Sequence, residues 1–208
     1  MHGLRSFVMA AVLVGLTAPA AAQGVQVGVP PNNPLPIVVQ PAPLPATKLE
    51  TFQPEAGAIV TVGHEILGAI ARARVFVEVR DMRDTKGHMA GGAALHLIES
   101  GTRDERAFID VDELPSVLRN FEALLKYTAN PTGLKRFEAR FTTRGNLSFV
   151  AYSNSTGAIE YALQVNKNPL ATIPNIESGD MLKLHALLEQ ALQKLNIAGY
   201  VTGGGGLR

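Results

Sequence analysis

The sequence contains no cysteine and no tryptophan, and aromatic residues make up only 6% of it. Without thiols, the chain can form neither a disulfide-stapled scaffold nor a cysteine-ligated zinc or iron–sulfur site. Charge of one sign is also scarce, because 19 basic and 18 acidic residues leave a net charge of +1. That balance excludes a nucleic-acid binder that relies on bulk positive charge. Hydrophobic residues are abundant at 46%, which excludes wholesale disorder and predicts a packed domain.

The first 22 residues have the three parts of a secretory signal peptide. Arg5 provides the positive charge, Phe7–Leu16 is an apolar run too short to span a bilayer, and Ala20–Ala22 offers a small-residue cleavage site. Cleavage before Gln23 removes one basic residue and no acidic one, so the mature chain is predicted to carry no net charge. No cysteine follows the cleavage site, so a lipoprotein anchor is not expected. We therefore expect an exported product, either periplasmic or secreted.

Residues 23–49 are predicted to form a proline-rich, disordered leader. Seven prolines lie there within sixteen residues: Pro30, Pro31, Pro34, Pro36, Pro41, Pro43 and Pro45. Proline fixes φ and has no N–H, which favours an extended polyproline-like spacer. The leader is either a passive spacer or a docking ligand, and its composition names no partner. A glycine-rich, flexible tail over 201–208 leaves residues 50–200 as the folded domain.

Within residues 50–200, the hydrophobic pattern alternates between a period of two and a period of 3.6. Residues 75–80 place three valines on one face of a predicted strand. Helical spacing begins at Leu114, after Asp112 as the predicted N-cap. The whole pattern predicts four strands and then a helix, twice, and short turns imply antiparallel strands. The predicted fold class is α+β, with antiparallel sheets in tandem ββββα units and two packing helices, one over the apolar face of each sheet.

The two predicted helices align at a fixed offset of 67 residues. The matched positions include Leu114 with Met181, Val117 with Leu184, Phe121 with Leu188 and Leu125 with Leu192. The strands do not align at this offset. An internal duplication, with pseudo-repeats at 57–129 and 134–197, is therefore a hypothesis.

Three carboxylates, those of Asp110, Asp112 and Glu113, form the densest acidic cluster. Clustered carboxylates can bind Ca²⁺ or act as an acid–base pair. The segment lacks the glycine and the distal glutamate of an EF-hand loop, and it directly precedes a predicted helix. Acidic side chains there satisfy free N–H groups and the helix dipole, so capping of that helix is the preferred interpretation.

The predicted mature chain has four histidines, His64, His88, His96 and His185, at spacings that match no metal-binding motif. Scattered surface or half-buried roles are expected for them, with no metal and no cofactor. Gly91–Gly92 does not match a phosphate-binding loop, and the sequence has no serine nucleophile elbow. These patterns assign no catalytic, metal-binding or cofactor-binding residue.

A local excess of positive charge lies on one predicted strand. Arg136, Arg140 and Arg144 share its polar side, with Lys135 nearby and Glu138 between them. This face could follow a phosphate backbone. The alternative is a solvated strand whose long side chains discourage edge pairing, and this is preferred because no aromatic residue shares the face to stack bases.

Four antiparallel strands and a helix, repeated over about 57–197, resemble the element order of the Whirly and Pur-alpha families of single-stranded nucleic-acid-binding proteins. The resemblance lies in element order and implies the tandem fold. The signal, the proline-rich leader and the stretch Ile109–Leu114 also resemble uncharacterised exported bacterial proteins in general.

The leading functional hypothesis is a non-catalytic binding or structural module of the cell envelope. Self-association is expected to be favoured by Leu182 and Leu187, which widen the apolar surface of the last helix. The first alternative is single-stranded nucleic-acid binding through the arginine face. The second alternative is a carboxylate-dependent hydrolase that uses Asp110 and Asp112.

Overall fold

The structure is a computed structural model, and it describes residues 46–99, 103–127, 131–134, 136–166 and 170–200. The predicted signal peptide, the leader up to residue 45 and the tail over 201–208 lie outside these residues. The elements of the described part are, in chain order, α1 (Lys48–Thr51), β1 (Val60–Ile70), β2 (Val75–Asp84), β3 (Met89–Glu99), β4 (Arg103–Asp110), α2 (Leu114–Leu125), β5 (Glu138–Thr142), β6 (Leu147–Ser153), β7 (Ile159–Val165), β8 (Ala171–Ile176) and α3 (Ser178–Ile197).

The strands form two four-stranded antiparallel sheets in simple sequential order. The first sheet has the order β1-β2-β3-β4, and the second has the order β5-β6-β7-β8. Every neighbouring pair of strands is antiparallel. Short connections join consecutive strands, which is the geometry that antiparallel pairing permits. The predicted α+β class with tandem four-stranded antiparallel units is confirmed.

Each helix packs mainly on the sheet of the other half of the chain. Helix α2 follows the first sheet but packs on β5 and β6, where the ring centroids of Phe121 and Phe149 are 4.9 Å apart. Helix α3 follows the second sheet but packs on β1, β2 and β3. A Cβ atom added to Gly68 of β1 would lie 2.9 Å from the Leu187 side chain, so glycine permits this close approach. The predicted helix over the apolar face of each sheet is therefore confirmed, and the structure adds that the helices are exchanged, because each one covers the sheet of the other half of the chain.

One hydrophobic core serves both sheets. The apolar faces of the strands and the buried sides of α2 and α3 belong to a single cluster of buried residues, and the two helices also contact each other. The buried helix positions match at the predicted offset: Leu114 with Met181, Val117 with Leu184, Phe121 with Leu188, and Leu124 with Ala191. Because the core is shared, neither sheet buries its apolar face without the other half of the chain.

Reciprocal contacts relate the two halves of the chain. Glu113, beside the first turn of α2, accepts a hydrogen bond from the N–H of Arg144 in the β5–β6 turn at 2.8 Å. Asp180, in the first turn of α3, accepts one from the N–H of Ala71 in the β1–β2 turn at 3.0 Å. The two acidic residues are themselves 67 positions apart. This correspondence fits the hypothesis of an internal duplication, which stays a prediction.

The folded body begins inside the segment that the sequence assigned to the leader. Thr47 and Glu50 form a capping box at the start of α1, in which each side chain bonds the backbone N–H of the other residue. Leu49 is 6% exposed and packs against Gly92 of β3, where an added Cβ atom would lie 2.8 Å from its side chain. Residues 46–49 were predicted to belong to the disordered leader, but they form the start of α1 and bury Leu49. The prediction relied on the proline content, which does not reflect the capping box or the apolar contact.

Candidate functional site

The first sheet has a second face, turned away from the core, that we call the outer face. On β2 the valines predicted to share a side are buried, and Phe76, Glu78 and Arg80 alternate with them. Strand pairing places His64 of β1 opposite Arg80 and His96 of β3 opposite Phe76. Paired residues of neighbouring strands lie on the same face, so the register gathers ionisable and aromatic side chains on this surface.

Glu78 is the centre of an ion-pair network on the outer face. It is 4% exposed, its Oε1 accepts a hydrogen bond from Nε of Arg80, and its Oε2 lies 3.0 Å from Nε2 of His96. Nδ1 of His64 is 3.9 Å from Oε1 of the same carboxylate. Burial favours the neutral carboxyl, but the bonds and charges of Arg80 and His96 outweigh it and hold the pKa of Glu78 below its usual value. The carboxylate is therefore a weak general base at neutral pH.

Aromatic and apolar groups border this network. The Arg80 guanidinium carbon lies 5.5 Å from the centroid of the Phe108 ring, which is cation–π geometry. Nδ1 of His96 lies 3.7 Å from Oδ1 of Asp104, so the imidazole stands between two carboxylates. A cavity of about 200 Å³ opens beside it, lined by Ile66, Phe76, His96, Ile98 and Asp104. The outer face thus offers apolar contact next to charges that already have partners.

The first sheet also has a free edge at β1. Among the described residues, β1 pairs with β2 and with no other strand. The N–H of Thr85 donates to the carbonyl oxygen of Ile59 at 3.1 Å, so the main-chain groups of Ile59 face the β2 side. Main-chain direction alternates along a strand, so the N–H and C=O groups of Val60, Val62 and His64 point away from β2.

Aliphatic side chains are exposed along this edge. Ile59 is 71% exposed, Val62 45% and Ile66 61%. Beside the edge, a groove of about 270 Å³ separates β1 from the end of α3, and Gly63, Glu65 and Lys194 are among its lining residues. An open strand edge with aliphatic side chains is a surface that binds by strand pairing and apolar burial.

The three carboxylates of the acidic cluster hold α1 and a turn, not the helix that they were predicted to cap. Asp110 is completely buried at the end of β4 and accepts hydrogen bonds from the N–H groups of Lys48 at 2.8 Å and Leu49 at 3.2 Å. The N-cap position of α2 is Glu113, whose side chain makes no capping bond, so the prediction of Asp112 as N-cap is wrong. Asp110 satisfies free N–H groups of a helix start as expected, but these belong to α1, whose Lys48 and Leu49 lie 62 and 61 residues away in sequence.

The remaining contacts of this cluster are ion pairs. Asp112 lies 3.1 Å from Nζ of Lys48 and 3.4 Å from Arg144, and although burial opposes it, these cations lower the pKa of Asp112. Burial raises the pKa of Glu113, whose Oε1 bonds the main chain of Arg144. All three predicted carboxylates are thus brought together, and each has a structural partner.

The predicted arginine face does not form as one basic surface. Arg140 lies on β5 and pairs with Glu138 at 2.8 Å. Arg144 lies in the β5–β6 turn and its guanidinium is 3.4 Å from the carboxylates of both Asp110 and Asp112. Arg136 is exposed ahead of the strand, and Lys135 lies outside the described residues. Carboxylates thus pair with Arg140 and Arg144. Arg144 leaves the predicted face because β5 ends at Thr142, and the following turn brings its side chain to the end of β4.

The other two histidines lie apart from the outer face. Nδ1 of His88, in the β2–β3 turn, is 2.7 Å from Oδ2 of Asp84, and this hydrogen bond raises the pKa of His88. His185 lies on α3 with its ring edge-to-face against Phe121 at 5.6 Å. Within the residues that the structure describes, no group of three or more His, Asp or Glu side chains could hold a metal ion.

Sequence reasoning missed the role of Glu78 and the free edge. The alternation at 75–80 placed Glu78 and its partner Arg80 away from the core, but the two histidine partners come from two other strands, and only the register joins them. The β1–β2 turn was also missed: Ala71, Arg72 and Ala73 have φ values of 52°, 57° and 61°, a left-handed conformation that non-glycine residues adopt at a cost. No glycine or asparagine signals this turn.

No family model matches the chain, and no curated protein matches it. In the described part of the chain, none of the helices combines the length and the apolar character that crossing a membrane requires.

Proposed function

We propose that the protein is an exported, non-catalytic binding or structural module of the bacterial cell envelope. Its contact surface is the outer face and the free edge of the first sheet. One observation carries the proposal: the ionisable side chains of this face satisfy one another around Glu78, while the exposed side chains nearest the edge, Val62 and Ile66, are aliphatic. Such a surface recognises a partner through apolar burial and main-chain pairing.

The positions of the carboxylates support a non-catalytic role over the hydrolase alternative. Asp110 is buried against the N–H groups of α1, and Asp112 pairs with Lys48 and Arg144. A general base must reach substrate and have a pKa near the working pH. Glu78, the buried acid of the outer face, is engaged by Arg80 and has a lowered pKa. These groups therefore contribute to stability and shape.

Site-specific photo-crosslinking tests the proposal. The full chain is expressed in a bacterial host with a photoreactive residue at Ile66, and a matched variant carries it at Leu182, which is equally exposed at 61% but lies on α3. We expect the processed chain, beginning at Gln23, in the envelope or medium, with adducts from Ile66 and few from Leu182. A precursor that stays in the cytoplasm, or equal adducts from both positions, would contradict the proposal.

Single-stranded nucleic-acid binding is the second candidate, and one observation favours it. The guanidinium of Arg80 lies over the ring of Phe108 on the outer face, and Arg106 lies on the same strand as Phe108. An aromatic ring and a cation together can bind an unpaired base. Filter binding of an oligothymidine at low and moderate salt separates the candidates. Binding that weakens with salt and is lost in Arg80→Ala would favour this alternative over the first.

A further inference from the structure

Strand β1 carries few of the features that protect an exposed edge. It is eleven residues long, has neither proline nor lysine, and has Glu65 as its only acidic residue. The edge strand β5 of the second sheet is five residues long and carries the Glu138–Arg140 ion pair. Proteins discourage edge pairing by short strands, by charge and by bulges. Strand β5 has the first two features, whereas β1 has only a register shift between Ile66 and Gly68, which leaves residues 60–66 in regular pairing with β2.

The edge of β1 is complementary to itself in one register. Two copies related by a two-fold axis pair antiparallel, and opposite residues must share a face. If His64 lies opposite His64 of the second copy, Val62 lies opposite Ile66 of the second copy, and the reciprocal pair forms as well. Both side chains lie on the outer face, 45% and 61% exposed, and each would cover the other. The main-chain groups at 60, 62 and 64 already point outward for this pairing.

On the other face of the sheet, toward α3, the same register places an acidic side chain opposite a glycine and near a lysine. Glu65 of the second copy lies opposite Gly63, which has no side chain, and an added Cβ atom there would meet nothing nearer than the Asp81 carbonyl oxygen at 3.8 Å. The space continues into the groove that Lys194 lines. Nζ of Lys194 is 3.0 Å from Glu65 of its own chain, and the lysine side chain is 37% exposed. The incoming carboxylate therefore meets an ammonium group, and two glutamates and two lysines form a neutral set.

We propose that β1 pairs with β1 of a second copy, with His64 on the two-fold axis, so that two first sheets become one continuous eight-stranded sheet. This inference rests on the proposed function, because it names the partner of the same edge. The partner is recognised by main-chain hydrogen bonds, by the Val62–Ile66 pairs and by Glu65 facing Lys194.

Single-cysteine variants of the full mature chain test the register, because the natural sequence has no cysteine. Opposite residues in a hydrogen-bonded antiparallel pair have Cα atoms about 5.5 Å apart, which is within disulfide range. We expect His64→Cys to form a covalent dimer under mild oxidation. Val62→Cys and Ile66→Cys should stay largely unlinked when alone and link when mixed. Leu182→Cys, on α3, is the control for random collision. Leu182 is 61% exposed but Leu187 is only 8% exposed, so α3 lacks the widened apolar surface that the sequence predicted for self-association.

Charge reversal provides a second, independent test by analytical ultracentrifugation. Glu65→Lys places like charges at the junction, and Lys194→Glu does the same with the opposite sign. Each variant alone should dimerise at least tenfold more weakly than the wild type. An equimolar mixture should recover the dimer, because each interface then joins opposite charges. The melting temperature of each variant should stay near that of the wild type, since an exposed ion pair adds little stability.

Three results would overturn the dimer. They are a wild-type chain that remains monomeric at its highest soluble concentration, linkage of Leu182→Cys as efficient as that of His64→Cys, and charge variants that do not recover on mixing. A monomer that still forms adducts with other envelope proteins from Ile66 would contradict the dimer but agree with the proposed binding function. A dimer of a chain that is never exported would contradict the proposed function but agree with the pairing of β1 with β1.

Discussion

Replacing Asp110 with asparagine tests whether the acidic cluster holds α1 in place. Asp110 is completely buried and accepts hydrogen bonds from the N–H groups of Lys48 and Leu49, at 2.8 and 3.2 Å. Asparagine keeps one acceptor oxygen but places an NH₂ donor against the second N–H. The loss of one charge-assisted bond and the buried, unpaired donor cost about 2–3 kcal/mol.

Thermal unfolding and amide hydrogen exchange measure this effect. For a domain of this size, that loss lowers the melting temperature by about 4–12 °C. The amides of Lys48 and Leu49 should exchange faster, while those of β6 keep their protection, because α1 contacts β3 and β4. Asp112→Asn is the matched control. Its carboxylate is 45% exposed and pairs with Lys48 at 3.1 Å, so the change should cost less than about 1 kcal/mol.

The outcome at Asp112 decides whether the reasoning holds. Equal destabilisation by Asp110→Asn and Asp112→Asn would show that burial and main-chain bonding at Asp110 do not set its role. Unchanged stability in Asp110→Asn, together with loss of a detectable hydrolase activity, would favour the hydrolase alternative, in which Asp110 and Asp112 are the reactive carboxylates.

Three further predictions concern packing, pH and the shared core. A Cβ atom at Gly145 would lie 2.1 Å from a carbonyl oxygen of β4, so Gly145→Ala should cost several kcal/mol in denaturant unfolding, as a steric overlap does. Gly179→Ala, in the first turn of α3 with open space around it, should instead be neutral or stabilise by about 0.5–1 kcal/mol. The pKa of Glu78 is lowered in the folded state, so its ionised form stabilises the fold above the unfolded pKa of about 4.3. This contribution is lost as the pH falls through the folded pKa. Glu78→Gln should therefore flatten the acid side of a curve of unfolding free energy against pH, and an unchanged curve would exclude that role. Fragments 46–127 and 131–200 should each give little cooperative unfolding by circular dichroism and recover it when mixed, and a fragment that folds alone as a monomer would contradict the helix exchange.

Local periodicity predicted the elements that depend on local pattern. The alternation at 75–80 separated core-facing valines from Glu78, and the helical spacing from Leu114 identified the side of α2 that is buried. The four-strand-plus-helix order followed from turns and periods in the same way. These features could be predicted because each is determined within a few residues.

The remaining features depend on contacts between distant segments. An apolar stripe shows that α2 must be covered, but the stripe is equally compatible with either sheet. Glu78 acquires His64 and His96 only through the pairing registers of three strands. Asp110 was expected to serve the helix next to it in sequence, but the first turn of α1 lies nearer in space. Propensity and spacing contain no information about these distances.

The exchange of helices also determines when the chain can fold. Strands β1–β4 are synthesised first, yet the helix that covers them ends at Ile197, close to the last residue of the described part. Until that helix has been synthesised, the apolar face of the first sheet stays exposed to solvent, and folding of β1–β4 buries little apolar surface. The exchanged helices therefore make completion of the shared core depend on the last helix of the described part.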